Sequence, residues 1–130
     1  MNDILSSLST AASGMKAQGA RLRYVSENIA NADTPGYRRK IAPFEAAVEA
    51  GRDTGEVRIG ALQLDQTALP KVFDPAHPMA DGTGHYEASN VDIMIELADA
   101  REAQRSYEAN LKMFDQTRQM TQGLLALLKR

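Results

Sequence analysis

The sequence predicts a mainly α-helical chain, with long N- and C-terminal helices packing as an antiparallel coiled coil. An irregular middle segment carries a short β-hairpin or strand. Three observations predict this fold: apolar residues follow a heptad spacing at both ends, all five prolines lie between the ends, and there is no Trp. With few bulky side chains available for a globular core, close helix packing is the economical solution. We therefore divide the single chain into an N-terminal helix over 1–33, an outer segment over 34–89 and a C-terminal helix over 90–130.

The first helix is predicted by an apolar seam that alternates steps of four and three residues. Gln18 is its one polar member, and the apolar members are Ile4, Leu8, Ala11, Met15, Leu22, Val25 and Ile29. Gly14 and Gly19 each cost about 1 kcal/mol of helix propensity relative to Ala. We expect that both glycines are there to allow another helix to approach closely.

The helix is expected to stop at a turn centred on Pro35 and Gly36. Proline forces the preceding Thr34 into an extended conformation, and a Pro-Gly pair is typical of a type II turn. The basic residues that follow, over 38–40, could bind phosphate. Because the chain carries 17 acidic against 15 basic residues, we interpret them instead as a solvated or inter-subunit patch.

The middle segment gives weaker signals. The stretch 41–50 is ambiguous around Pro43, and 51–55 is expected to be a flexible loop. Over 57–64, two pairs of alternating apolar residues fall out of phase, as in a strand with a bulge or a short hairpin. Over 74–84, prolines and glycines predict an ordered loop or an extended chain.

The second long helix is predicted to begin at a capping box, with Ser89 or Asn90 as the N-cap and Asp92 reaching back. Its heptad stripe comprises Ile93, Leu97, Ala100, Gln104, Tyr107, Leu111, Phe114, Leu125 and Leu128. A second stripe on a neighbouring face comprises Met113, Met120, Leu124 and Leu127. A monomer cannot cover two apolar faces on a helix this long, so we expect other subunits to cover them.

These seams predict an assembly interface made of apolar side chains from both helices. Its predicted members are Ile4, Leu8, Met15, Leu22, Val25, Ile29, Leu97, Tyr107, Leu111, Phe114, Met120, Leu124, Leu125 and Leu128.

Several functional classes are disfavoured by composition. A net charge of -2 argues against a nucleic-acid binder, and the absence of Cys excludes disulfides and thiolate sites. No run approaches the ~20 apolar residues of a membrane span, and the polar, interrupted start is unlike a cleaved secretory signal.

Catalytic and cofactor motifs are also missing, since no phosphate loop, dinucleotide glycine pattern or nucleophile elbow occurs. His77, His85, Asp74 and Asp81 form the only cluster of metal-binding or acid-base residue types. They lie in a Pro- and Gly-rich loop, which seldom supplies a closed ligand set. We expect turn-forming residues here, with no catalytic residue, metal, cofactor or small-molecule substrate.

The run from Ser26 to Arg38, SENIANADTPGYR, resembles the N-terminal signature of bacterial flagellar rod, hook and hook-filament junction proteins. The segments 73–81, 89–92 and 105–110 resemble the short rod members of that family, whereas 42–68 matches nothing that we can name. The residues that carry the family pattern are Asn28, Ala30, Asn31, Thr34, Pro35, Gly36, Tyr37, Asp74, Pro75, His77, Pro78, Asn90, Val91 and Asp92.

The resemblance implies a structural subunit of the flagellar basal-body rod. In such a rod the terminal helices form an inner coiled-coil layer, which carries motor torque to the hook and filament. It implies self-assembly with other copies and other rod proteins, and export to the periplasm through the flagellar type III apparatus without cleavage. The alternative is a discrete helical adaptor or export chaperone, which would bind one partner at fixed stoichiometry.

Overall fold

The computed structural model describes residues 2–129 and is mainly helical. Helix α1 spans Asn2–Ala30 and helix α2 spans Ile93–Leu128. Six short strands lie between them: β1 Lys40–Ile41, β2 Phe44–Glu49, β3 Arg52–Ile59, β4 Gln63–Leu64, β5 Lys71–Phe73 and β6 His85–Glu87. They form three two-stranded antiparallel sheets, β1 with β4, β2 with β3, and β5 with β6. The predicted combination of two long helices with small strands in the middle is confirmed.

The two helices pack along each other over most of α1. Asn28 hydrogen-bonds Glu96, and Arg21 forms an ion pair with Asp99. Further along, a Cβ built at Gly14 would lie 2.7 Å from the side-chain oxygen of Asn110. Residue numbers therefore rise along one helix as they fall along the other. The close approach expected at Gly14 is confirmed, whereas nothing lies within 4 Å of a Cβ built at Gly19.

This difference predicts opposite outcomes for two matched substitutions. Gly19→Ala should raise the free energy of unfolding by about 0.5–1 kcal/mol, because alanine is the better helix former and space is available. Gly14→Ala should lose that gain, because the new methyl group must displace Asn110. Urea unfolding of both variants measures the difference, and equal gains would contradict the close helix approach.

The face of α2 that packs on α1 is narrow and carries small or polar residues. Glu96 and Ala103 are its fully buried members. At about 100° per residue, Tyr107 and Leu111 project to one side of this face, and Met113 and Met120 project to the other. Helix α1 thus covers the strip between these two sides of α2 and leaves Tyr107, Leu111, Met113 and Met120 exposed.

The middle segment departs from the sequence expectation around residues 41–64. The loop expected over 51–55 is wrong, because the chain turns earlier, at Ala50 and Gly51, whose φ angles are 52° and 77°. Two consecutive positive φ values are typical of a two-residue hairpin turn, which allows β2 and β3 to pair directly. This turn could not be expected from the residue types, because alanine is unusual at a position with a positive φ.

The hairpin packs against α1 rather than standing free. The backbone N–H of Val57 donates to the Ser13 hydroxyl at 3.1 Å. The bulge expected between residues 59 and 62 is wrong, because β3 ends at Ile59 and the register shift of the pair lies between Ala46 and Val48. Leu64 does not continue the same strand, since it pairs with Lys40 in a separate sheet.

Helix α2 begins later than predicted, and the predicted N-cap is wrong. Asp92 is the N-cap, and its carboxylate accepts from the N–H of Met94 at 3.0 Å. Ser89 and Asn90 are unavailable as caps because their side chains bind elsewhere: the Ser89 hydroxyl donates to the carbonyl of Ala32, and the Asn90 carbonyl accepts from the N–H of Arg39.

Candidate functional site: a buried polar junction and two exposed apolar stripes

A tight turn at residues 34–37 follows α1. Gly36 has a φ of 76°, and the N–H of Tyr37 donates to the carbonyl of Thr34 at 3.2 Å. These features confirm the predicted type II turn. The N–H of Gly36 also donates to the carbonyl of Glu87 at 3.0 Å, which ties the turn to the strand that leads into α2.

Gly36→Val is expected to be more damaging than Asp33→Ala. A β-branched residue resists the positive φ at position 36, whereas the exposed Asp33 offers at most a local hydrogen bond. Swimming on soft agar, with cellular protein levels checked, measures both variants. Normal swimming by Gly36→Val together with a loss in Asp33→Ala would show that a contact of Asp33, and not the turn, matters here.

Asn28 is the centre of a cluster that we call the polar junction. Its amide nitrogen donates to the carbonyl of Lys40 at 3.0 Å and to Glu96 at 3.2 Å. Its amide oxygen accepts from the Tyr37 hydroxyl at 2.9 Å and from the N–H of Lys40 at 2.8 Å. Every hydrogen-bonding position of this buried amide is therefore used, and the four bonds join α1, the chain after the turn, and α2.

Arg39 and Arg21 extend the junction along α2. The Arg39 guanidinium bonds Glu96 and also Asp99, the latter at 2.8 Å. Arg21 reaches Asp99 and Glu102, both at 3.3 Å. Burial lowers the pKa of Arg39, but the hydrogen bond to Glu96 and the charges of Glu96 and Asp99 outweigh it, so that the pKa lies above its usual value. Arg39 therefore stays charged against its carboxylate partners.

The interpretation of residues 38–40 as a solvated or inter-subunit patch is wrong. Besides the Arg39 pairs, Arg38 donates to the carbonyls of Asp65 and Thr67, each at 3.1 Å. The Lys40 ammonium lies 2.6 Å from the Glu27 carboxylate, and this hydrogen bond raises its pKa. All three basic side chains have partners within the chain.

The Asn90 side chain also binds the backbone of the middle segment. Its side-chain oxygen accepts from the N–H of Arg39 at 2.6 Å. Its amide nitrogen donates to the carbonyls of Asp65 and Thr67, at 3.0 and 3.2 Å. The two motif asparagines, Asn28 and Asn90, thus hold opposite sides of the same short backbone stretch.

The loop 74–84 is ordered by its own polar side chains, as predicted. The Asp74 carboxylate accepts from the N–H of Ala76, and the His77 ring accepts from the N–H of Met79. Asp81 accepts from the hydroxyl and the N–H of Thr83 and from the N–H of His85, which lowers its pKa to about 2. Within residues 2–129, no group of three His, Asp or Glu side chains is placed to hold a metal ion.

The junction is unusual for being the most deeply buried part of a chain with little apolar core. Glu96 and Asn28 are 0% and 1% exposed, and they are the largest fully buried side chains among the described residues. Among the same described residues, the buried apolar side chains are only those of Ala11, Ala17, Val25 and Ala103. A satisfied polar network specifies one geometry because a partly broken one is costly. The junction can therefore fix the direction in which the middle segment leaves the helices.

Sequence reasoning missed Glu96, Asp99 and Arg39 as members of this network. The available signal was an acidic pair three residues apart on α2, opposite a basic run that needed partners. It was overlooked because charged residues on a helix are more often solvated.

The predicted interface residues divide between the two helices. On α1, Val25 is buried and the other five are half-buried: Ile4, Leu8, Met15, Leu22 and Ile29. On α2, Phe114 is half-buried and the other seven are exposed: Leu97, Tyr107, Leu111, Met120, Leu124, Leu125 and Leu128.

We define the α2 stripes by eight exposed side chains. The first stripe is Leu97, Tyr107, Leu111 and Leu125, and the second is Met113, Met120, Leu124 and Leu127. Their combined apolar surface exceeds what single scattered residues would expose, and such a surface marks an interaction site.

Neither α1 nor α2, over the residues described, is long and apolar enough to cross a membrane.

Comparison with known proteins identifies the family. Residues 8–38 match a family described as flagella basal body rod protein, and residues 83–127 match one described as flagellar basal body rod FlgEFG protein C-terminal. The first match contains Asn28 and the turn, and the second contains Asn90 and Asp92.

Full-length relatives agree with these matches. The chain is 40% identical to the flagellar basal-body rod protein FlgC of Agrobacterium fabrum, over 99% of this chain and 98% of the relative. It is 36% identical to FlgC of Aquifex aeolicus, over 92% and 93% of the two chains, and 33% identical to FlgC of Yersinia enterocolitica, over 95% and 97%. With this coverage at both helices and through the middle segment, the chain belongs to the FlgC family of flagellar basal-body rod proteins.

Proposed function

We propose that this rod protein is an axial subunit of the drive shaft that carries motor torque to the hook and filament. The terminal regions, 1–33 and 90–130, would pack as an antiparallel coiled coil and join the helices of neighbouring subunits in an inner layer. Residues 34–89 would form the outer part. The observation that carries this proposal is the pair of exposed apolar stripes on α2, which no other part of the described chain covers.

The stripes suit lateral contacts with helices of other subunits. They run along α2, which at 1.5 Å per residue is about 54 Å long. Burial of such stripes between helices packed side by side would stabilise the assembly by roughly 25 cal/mol per Å² of apolar surface. Two stripes on different sides allow two neighbours at once, which is what a closed layer of helices requires.

The polar junction supplies the second mechanical element. Torque applied to the helix layer must reach the outer segment without bending the connection. Asn28, Arg39 and Glu96 join the two helices to the backbone after the turn through directional bonds. Such bonds resist rotation of the outer segment about the helix pair more strongly than apolar contact, which has no preferred direction.

We further propose that the chain reaches the rod through the flagellar type III export apparatus without cleavage of a signal peptide, and that it has no catalytic activity. Membership of the rod family supports both parts. An unfolded or marginal helix pair before assembly would suit passage through a narrow channel.

The test is complementation of a strain that lacks the chain. Tagged protein should restore swimming and co-purify with isolated basal bodies, within the rod, in multiple copies. Recovery only in a soluble complex of fixed stoichiometry with one partner would support the adaptor or chaperone alternative and contradict the rod assignment.

The α2 stripes also predict marginal helices in the isolated subunit. Neither stripe has a partner in the monomer, and helices in proteins gain most of their stability from tertiary packing. Hydrogen exchange on a verified monomer should therefore show weak protection in both helices, and this protection should rise on assembly. Strong protection throughout 4–29 and 93–128 in the monomer would contradict this expectation.

A further inference from the structure

Gln18, the polar member of the α1 seam, has a buried oxygen without a hydrogen-bond partner. This side-chain atom, Oε1, is fully covered by the protein. Within residues 2–129, it is the only buried side-chain oxygen or nitrogen atom that makes no hydrogen bond. A buried acceptor without a donor costs free energy, because it gave up its bonds to water on folding and gained none in return.

The neighbours of Gln18 along the seam explain why its oxygen has no donor. Residues three and four positions apart lie on the same side of a helix. Arg21, three residues ahead, donates to two carboxylates of α2. Asn110 of α2, which lies against Gly14, donates its amide to the carbonyl of Ser106. The donors on either side of Gln18 are therefore bound elsewhere.

The rest of the contact surface near Gln18 cannot supply the missing bond. Its buried residues are Ala17 on α1 and Ala103 on α2. Ala103 lies between Glu102 and Asn110, which face α1 on either side of Gln18. Alanine has no donor in its side chain, and its backbone N–H within a helix is already bonded to the carbonyl four residues before it. The middle of the helix pair thus combines small buried side chains with an unmet acceptor.

Asn28 shows the opposite arrangement ten residues further along α1. Every hydrogen-bonding position of its amide is used. At 1.5 Å per residue, the amides of Gln18 and Asn28 are about 15 Å apart. The pair is therefore held at the polar junction and weakened near its middle. A donor from another molecule cannot relieve Gln18 while the helices stay packed, because the oxygen is covered.

We propose that Gln18 is a built-in weak point of the helix pair, which lets the two helices separate when the chain is exported. This role rests on the proposed passage through the export apparatus. Two helices side by side are about 20 Å across, since one helix with its side chains has a diameter of about 10–12 Å. They must come apart before the chain can pass in extended form, and a less stable pair comes apart more readily.

Gln18→Met tests the weak point in the purified full-length chain. The substitution removes the unmet acceptor, and methionine is similar to glutamine in length and in helix propensity. Urea unfolding should show a ratio of folded to unfolded chain that is roughly five- to thirtyfold higher. Gln119→Met is the matched control, because Gln119 is exposed on α2, and it should change the ratio by less than about twofold. No gain from Gln18→Met, or an equal gain from both variants, would overturn the proposal.

Secretion into the culture supernatant tests the role in export. A strain that lacks the chain produces the wild type, Gln18→Met or Gln119→Met at matched levels. The Gln18→Met chain should be secreted several-fold more slowly than the other two. Adding Val25→Ala to this variant truncates a buried side chain and weakens the helix pair again. The double variant should therefore be secreted at a rate close to that of the wild type.

The outcomes separate this role of Gln18 from the proposed export itself. Equal secretion of the wild type and Gln18→Met would overturn the role and leave export standing. A slow Gln18→Met chain that Val25→Ala does not restore would also overturn it, because the new side chain and not stability would then be responsible. Failure of the wild-type chain to reach the supernatant would contradict the proposed export, and the role of Gln18 with it.

Discussion

Leu111→Asp and Leu125→Asp are each expected to abolish rod assembly and swimming while export continues. Both leucines belong to the first α2 stripe, and they are 40% and 50% exposed in the subunit. The isolated chain should therefore tolerate the change. In the assembled rod the new carboxylate would be buried without a partner, which costs several kcal/mol at each interface. Because 1.4 kcal/mol corresponds to a tenfold change in affinity, the loss should be close to complete.

Leu62→Asp provides the matched control, because Leu62 is also an exposed leucine but lies in the middle segment. Basal bodies and culture supernatant are probed for each variant. The stripe variants should appear in the supernatant and be absent from basal bodies, whereas the control should assemble. Normal swimming by both stripe variants would show that this side of α2 is not an interface.

Asn28→Ala is expected to lower the free energy of unfolding by about 2–4 kcal/mol. The substitution removes four hydrogen bonds at once and leaves the N–H and carbonyl of Lys40 and the Glu96 carboxylate short of a partner. Each unsatisfied buried group costs about 1–3 kcal/mol, partly offset where water can enter. Urea unfolding of the purified chain measures the change.

Asn31→Ala is the control for this prediction. Asn31 belongs to the same motif, but its side chain makes only local bonds, to the carbonyl of Glu27 and to the Thr34 hydroxyl. Its loss should cost about 1 kcal/mol or less, as for a typical hydrogen bond. Equal effects of the two alanine variants would mean that the junction does not hold the helices to the middle segment.

Features governed by local sequence could be predicted. Helix α1 and the turn at Gly36 follow from residues that are close together in the chain, namely a heptad seam and a Pro-Gly pair. The existence of α2 and the ordered loop 74–84 follow in the same way. The stripes on α2 were visible because their periodicity needs no knowledge of the partner.

Features that depend on distant residues could not be predicted. Asp92 is the N-cap, and not the predicted Ser89 or Asn90, because those two side chains bind the chain after α1, 50 or more residues away. Arg39, predicted to lie in a solvated or inter-subunit patch, belongs to the polar junction because it pairs with Glu96 and Asp99 of α2. A hairpin or strand was expected over 57–64, but the β2–β3 hairpin lies earlier because it turns at Ala50, which has a positive φ that alanine seldom adopts. In each case a tertiary contact or a strained turn outweighed the local preference.

The central claim is that neighbouring subunits cover the α2 stripes. A cryo-EM map of isolated basal bodies, at a resolution that shows side chains, tests it most directly. The proposed function predicts that Tyr107 and Leu111 on one side of α2, and Met113 and Met120 on the other, pack against helices of adjacent rod subunits. A rod in which these side chains face solvent, with the subunits held together through residues 34–89 alone, would contradict it.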